Sequence, residues 1–432
     1  MLKYLQQIWN SKDLRSKILF TLGILVIYRL ISQISIPGAN IDAISRIFEQ
    51  NQLLGTFSML TGGSAQNFSI ILMGLSPYIN ASIIVQLLTV IVPSLENLSK
   101  EGMEGRKKLN TYTRLLTVPI AFIQSYGMIL LLNSQSQIPI VENVGSLTTL
   151  IPIMITVTAG TLLLMWLGEL ITEYGISNGI SILIFASIIS SVPQIVSQNL
   201  ALAQESTQFL IPFVIMFLIT IILIVFVVIV TEGERRIPIL YATRGAKSGS
   251  TKSNLPIRVN QAGMIPIIFS LSVVSVPGIL AQFMQGSDNA TLRTISDWIL
   301  SNFSVNSIWY SLFYFFLVIG FTYFYVSITF NPEQVAETVQ KRGGYIPGIR
   351  PGKQTAEYLG KVSNRLNLWG GLFIAFLAIS PSLISLLSSS LSIGAIPILI
   401  GGAGMIIVVS VVLDIVRKVN AQMVMHDYNK LY

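Results

Sequence analysis

The 432-residue chain contains no cysteine. Without a thiol there is no disulfide framework, thiolate nucleophile, Cys-based zinc site or iron–sulfur cluster. Histidine is nearly as scarce. The one copy, His426, lies in the C-terminal tail, which excludes a His–His metal site and argues against metal-dependent or Ser-His-Asp catalysis. Charge is sparse too: Asp, Glu, Lys and Arg make up 11% of the chain, against about 25% in soluble proteins. What fills the space is apolar. The hydrophobic set reaches 52% and the mean hydropathy is +0.70, the composition of a polytopic membrane protein.

Uncharged windows locate the spans. Residues 18–36 carry only Arg29, and residues 50–95, 115–141, 143–168, 174–204, 206–231, 259–287, 298–332 and 366–413 carry no charge. Since a span needs about 20 apolar residues, most windows hold one helix, and two are long enough for a pair. Charge parity decides between one and two. Of the 27 Lys and Arg, 24 fall in the segments 1–17, 96–114, 231–261, 331–365 and 414–432. Such clusters near span ends mark the cytoplasmic side, so an even number of crossings must separate any two of them. Window 50–95 can then cross only once, and window 366–413 must cross twice, turning near serines 388–390. The expected fold class is an all-α polytopic membrane protein with ten transmembrane helices and both termini inside. Ten spans divide as five plus five, and an odd number per half inserts the halves in opposite orientations. No clear internal repeat marks this, so two inverted five-helix halves, 1–204 and 205–432, are allowed rather than required. The basic first window has no small-x-small cleavage site after it and does not read as a cleavable signal.

Residues 70–92 suffice for one full span, which strands a stretch rich in Gly, Ser and Thr at 53–67. Irregular backbone at membrane depth survives only inside protein or beside a watery cavity. Segment 55–67 is thus either a re-entrant element in the outer half of the bundle or a loop on the outer interface. Ionisable groups are almost absent from mid-membrane. Arg29, in the outer half of its span, can snorkel to the interface, while Glu169, Glu173 and Asp414 sit at inner ends. Ion-coupled transport is disfavoured on this ground. Asn80, Gln86, Gln124 and Asn260 are polar but neutral, suited to interhelical hydrogen bonding or to a seam that opens toward hydrated cargo. The inner loops at 231–261 and 331–365 are long, basic and marked by Gly and Pro, a chemistry that attracts anionic lipids, acidic proteins or ribosomal RNA. No Walker A pattern is present, so no nucleotide cofactor is expected and any energy must come from a partner. On residues alone, a neutral uniporter and a docking scaffold remain open, and an enzyme is least supported.

Seven collinear stretches then carry a resemblance: IPGANI (36–41), GLSPYINASIIVQLLTVIVPSL (74–95), KEGMEGRKKLNTYTR (100–114), MWLGELITEYGISNGISILIF (165–185), GERRIPILYATR (233–244), VNQAGMIPIIF (259–269) and FNPEQVAETVQKRGGYIPGIRPGKQTAEYL (330–359). Together they resemble the SecY family, the channel subunits of the bacterial protein-conducting translocon, over essentially the whole chain. The resemblance implies a passive pore that passes unfolded preproteins across the membrane and releases transmembrane segments sideways into lipid. Its location would be the bacterial plasma membrane, or alternatively a thylakoid membrane, and it requires no cofactor and no catalytic residue. Implied partners are SecE-like and SecG-like small membrane subunits, the SecA motor ATPase, the ribosome, anionic lipids, and signal peptides and nascent chains as cargo.

Carried over residue by residue, the resemblance assigns the pore ring to Leu75, Ile79, Ile180, Ile184, Ile268 and Ile407. An apolar ring can gate by dewetting and deform around any side chain without binding it. Segment 55–67 matches the plug, with Gly55, Thr56, Phe57, Ser58, Met59, Leu60, Thr61, Gly62 and Gly63 at its heart. Asn80, Gln86, Gln124 and Asn260 become candidates for the polar seam of a lateral gate. Arg235, Arg236, Arg244 and Arg350 fall where the family meets motor and ribosome. The tip of the first large loop, 245–255, departs from the family in being short and sparsely basic.

Overall fold

The computed structural model describes residues 11–37, 61–135, 146–205, 207–241, 251–285, 289–303, 307–391 and 396–430, with the single positions 9, 44 and 140. The chain opens with α1 (Lys12–Ile31), followed by α2 (Ser76–Ile91), α3 (Pro93–Lys100), α4 (Met103–Gln135), α5 (Leu147–Tyr174), α6 (Gly179–Glu205) and α7 (Thr207–Glu232). Strands β1 (Glu234–Tyr241) and β2 (Thr251–Arg258) lead to α8 (Ile265–Gln285), α9 (Ala290–Asn302), α10 (Ile308–Thr329) and α11 (Pro332–Lys341). The two-residue β3 (Gly344–Tyr345), α12 (Lys353–Leu391) and α13 (Gly402–Lys430) complete it.

Among the described residues, six helices are long and apolar enough to cross a membrane, or seven if the bent pair α2 and α3 counts as one span. Physical reasons keep other expected spans outside that group. Helix α1 has Lys12, Asp13, Arg15 and Lys17 in its first two turns and Arg29 in its last. Pro93 opens α3, where a helix turns by 101° from α2. A proline fits the first turn because that N–H has no intrahelical partner.

The span expected over 70–92 is helical only from Ser76. Gly74, at φ +54, lies in a conformation that L side chains avoid, and Pro77 sits in the first turn of the helix. Residues 61–75 instead form a run of turns whose polar groups are met from within the chain. The amide of Ile36 donates to the carbonyl of Phe68 (2.9 Å) and that of Ile70 to the carbonyl of Ile34 (3.0 Å). Ser64 Oγ reaches the carbonyls of Thr61 (2.9 Å) and Ile71 (3.1 Å). Such closure is what non-helical backbone needs at membrane depth. Ala65, Phe68, Leu72 and Met73 are buried against Met128, Ile129 and Leu132 of α4 and Leu150, Ile153, Met154 and Val157 of α5.

The expectation of an all-α chain needs one correction. Segments 234–241, 251–258 and 344–345 make an antiparallel sheet of order β2-β1-β3. The register pairs Ile237 with Leu255 and Leu240 with both Lys252 and Tyr345. Ile237, Ile239 and Ile257 bury against Ala336 and Val339 of α11 and Ala356 and Leu359 of α12. The loop tip expected at 245–255 therefore ends in strand from Thr251.

The described parts of all five basic segments gather at this end of the bundle. Arg114 pairs with Glu169 at 2.6 Å and Arg417 with Glu232 at 2.5 Å. Phe20, near the basic start of α1, packs edge-on against Tyr174 at 5.8 Å. Strand β1 starts two residues after Glu232 and pairs with β3. Along the rest of α7, Leu210, Ile211, Val214, Leu218, Ile221, Ile222, Val225 and Ile229 are exposed, an apolar surface suited to lipid.

Candidate functional site: an aliphatic neck and the segment beside it

The tight turn between α5 and α6 sets the first pair of candidate ring residues. A Cβ on Gly179 would lie 1.9 Å from the carbonyl oxygen of Gly168, so only glycine permits the close approach. Thr172 Oγ1 accepts the Gly179 amide (2.8 Å), and Asn178 Oδ1 accepts that of Ile180 (3.1 Å), capping α6. Ile180 and Ile184 follow four residues apart, on one helix face. Leu75 sits at the N-cap of α2 and Ile79 in its first turn. Ile268 lies in the first turn of α8, and Ile407 in the second of α13.

These six residues come from four separate helices and belong to one extended apolar cluster. Leu75, Ile184 and Ile407 are buried members; Ile79, Ile180 and Ile268 are partly buried and pack against it. All six side chains are aliphatic, the chemistry a constriction needs if water is to leave it readily.

Of the nine plug candidates, Thr61, Gly62 and Gly63 are described and form turns next to α1 and α6; Gly55, Thr56, Phe57, Ser58, Met59 and Leu60 lie outside the described residues. The seam candidates occupy α2, α4 and the approach to α8. Asn80 and Gln86 are half-buried on α2, and Gln86 Nε2 donates to Ser82 Oγ at 3.2 Å. Gln124 on α4 has a buried Oε1 without a hydrogen-bond partner among the described residues. Asn260 is buried, and its Oδ1 accepts the Gly263 amide at 2.9 Å, so its side chain holds the turn leading into α8. Gln261, which sequence reasoning passed over, accepts from Ser363 of α12 at 2.9 Å.

At the charged end, Arg235 and Arg236 stand exposed on β1, and Arg236 Nε donates to Glu234 Oε1 at 2.7 Å. Arg350 is exposed in the turn between β3 and α12, where its carbonyl accepts from Thr355 Oγ1 at 2.9 Å. Arg244 lies outside the described residues. Sequence reasoning also missed a polar tie across the bundle. Ser177 hydrogen-bonds to Asp414, and Lys418 Nζ reaches both Ser177 Oγ (3.1 Å) and Asp414 Oδ2 (3.3 Å).

Arg29 is exposed, as snorkelling allows, and it is also bonded within the chain. Its Nη1 donates to the carbonyl of Gly62 at 2.7 Å and to Ser190 Oγ at 3.2 Å. Neighbouring Tyr28, Ser187 and Ser190 carried no weight in the sequence, although serines at 187, 190 and 191 within an apolar span were the available signal.

An apolar helical bundle with an extended aliphatic cluster, irregular backbone packed beside it and a basic, sheet-bearing end defines a polytopic membrane protein. The family model for SecY matches residues 69–416. Protein translocase subunit SecY of Corynebacterium glutamicum is 39% identical, with 98% of each chain covered. Among solved structures, the SecY channel whose plug domain stabilises the closed state and maintains a membrane seal is 20% identical. It covers 94% of this chain and 92% of that one, with a TM-score of 0.61. Sec61 in the canine ribosome–channel complex from the endoplasmic reticulum is 19% identical over 94% of this chain and 92% of that chain, with a TM-score of 0.57. The chain belongs to the SecY family.

Proposed function

We propose that this chain is the central pore-forming subunit of a protein-conducting channel, passing unfolded preproteins across a membrane and releasing transmembrane segments laterally into lipid. The observation that carries this reading is the convergence of Leu75, Ile79, Ile180, Ile184, Ile268 and Ile407 on one apolar cluster, in a chain of the SecY family. In this reading those residues form the waist, and segment 55–67 is the plug beside it. The ten spans are α1, α2, α4, α5, α6, α7, α8, α10, α12 and α13, divided into inverted halves at 204/205. Both termini and the sheet-bearing end face the cytoplasm of a bacterial cell. The adjoining helices α2, α4 and α8 form part of the lateral gate, which signal sequences open. Arg235, Arg236, Arg244 and Arg350 face the SecA motor and the ribosome, and SecE-like and SecG-like subunits complete the assembly. That the related Sec61 sits in a ribosome–channel complex supports the ribosomal partner.

The test is hydration of the neck. Ile79→Ser with Ile184→Ser places hydroxyls where apolar walls exclude water, so resting ion conductance should rise and the demand for a good signal sequence should relax. Ile222→Ser, on the exposed face of α7, should do neither. Channels with both ring serines as tight as wild type would make these residues packing rather than pore.

A further inference from the structure

Arg29 is the one charge in window 18–36, and its guanidinium is committed to the chain. Ser190 donates its own proton to the carbonyl of Ser187 (2.7 Å), which leaves its oxygen to accept from Arg29. Arg29 thus joins the last turn of α1 to the Gly62 carbonyl and to α6 at once. One residue back, the Tyr28 hydroxyl lies 2.6 Å from Ser187 Oγ. Ser187 donates to the carbonyl of Leu183 (2.9 Å), so Tyr28 is the donor to Ser187, with a weaker branch to the Thr61 carbonyl at 3.4 Å. Segment 61–62 is therefore gripped from α1 and α6 together.

Gly62 is shaped for that grip. Its φ of +66 suits glycine, and an added Cβ would lie 3.0 Å from Ser187 Cα and the Tyr28 hydroxyl and 3.1 Å from Ser190 Oγ. The gripping serines share α6 with the candidate ring residues Ile180 and Ile184. Ser187 follows Ile184 by three residues, a separation of about 4.5 Å along α6 and on the same face. Tyr28 also belongs to the apolar cluster that holds Leu75 and Ile184.

We propose that Arg29 and Tyr28, with Ser187 and Ser190, form a latch that fastens the end of the plug to the helix lining the neck. Cargo that displaces Ile180 and Ile184 then shifts the same helix that carries the two serines, and widening of the neck releases the plug. This inference rests on the pore reading above. An arginine suits the task because one planar group can serve two acceptors at once with charge-assisted bonds.

The experiment is an epistasis test in the complete channel complex, reconstituted in planar bilayers. Arg29→Met, and separately the double variant Tyr28→Phe/Ser190→Ala, should each raise resting ion conductance several-fold. On a background lacking residues 57–65, neither should add to the leak already caused by that deletion. Conductance unchanged in both intact variants would overturn the latch, as would an equal multiplicative rise on both backgrounds, which would mark general loosening of the bundle. Should Arg29→Met fail to accumulate, the double variant, which removes only two hydroxyl groups, decides the matter. The pore reading fails separately, if neither the deletion nor the Ile79/Ile184 serine pair opens the channel to ions.

Discussion

At the scale of single residues, close backbone approach does much of the shaping. Gly160 of α5 faces the turn that precedes α2, and a Cβ there would lie 2.1 Å from the carbonyl oxygen of Ile70. Backbone, unlike the end of a long side chain, cannot rotate out of the way. Phe68, two residues earlier, is fully buried with φ of 43, a conformation costly for an aromatic residue and kept only where surroundings over-determine it. The segment is thus pinned at both positions. Gly160→Ala should destabilise the protein by about 1–3 kcal/mol, the usual scale for overpacking. The measurement is thermal unfolding in detergent, with a lowered midpoint expected. An unchanged midpoint would mean the 69–75 turn yields freely and is not fixed by α5.

At the scale of elements, the basic end is a built platform rather than a set of loops. Strand β1 alternates as its buried residues require, with Ile237 and Ile239 inward and Arg236 and Pro238 outward. Its proline is tolerated because, among the described residues, β3 pairs with Leu240 and Tyr241 alone and that side of β1 has no strand beside Pro238. The sheet and α11 present Arg350 from a short turn anchored by Thr355. The Thr355 bond fixes the backbone of the turn, and the exposed guanidinium brings a planar donor fork to a partner. Arg350→Glu reverses that charge without touching the neck, so motor-driven export should be lost while the channel still inserts into the membrane. Pulse-labelled export of a preprotein, read beside the amount of channel in the membrane, checks this; export at the wild-type rate would remove Arg350 from the motor contact.

At the scale of the whole molecule, charge is concentrated at one end. Arg114 with Glu169, Arg417 with Glu232 and Lys418 with Asp414 lie there with the sheet. These pairs are largely exposed and individually weak, but their common location gives the protein a polar cap on one end of an apolar body. If that cap is cytoplasmic, single cysteines at Lys107 and Lys353 should react with a membrane-impermeant thiol reagent only after the inner face is exposed. The chain's lack of native cysteine makes each label unique. Reaction at either position in intact cells would overturn the ten-span topology.

Composition and charge spacing by themselves determined that this is a polytopic helical membrane protein, because desolvating a charge or an unpaired backbone group is too costly to leave a disguised span. They also marked 53–67 as irregular, through its glycines and small polar residues, which holds for its described part 61–67, whereas 70–75, expected to open the span, is turn. The motifs named the aliphatic residues proposed for the neck, but only the tertiary structure placed Leu75, Ile180, Ile268 and Ile407 in one cluster from four helices. Long-range packing has no signature in local periodicity. The sheet was missed although Ile237 and Ile239 alternate, since so short a pattern inside a basic loop reads equally as irregular chain. For Arg29 the sequence showed only a residue able to snorkel, and its bonds within the chain were not legible there. Snorkelling and an internal hydrogen bond demand the same residue at the same depth, and the second depended on the Gly62 carbonyl and Ser190, which lie 33 and 161 positions away in the chain.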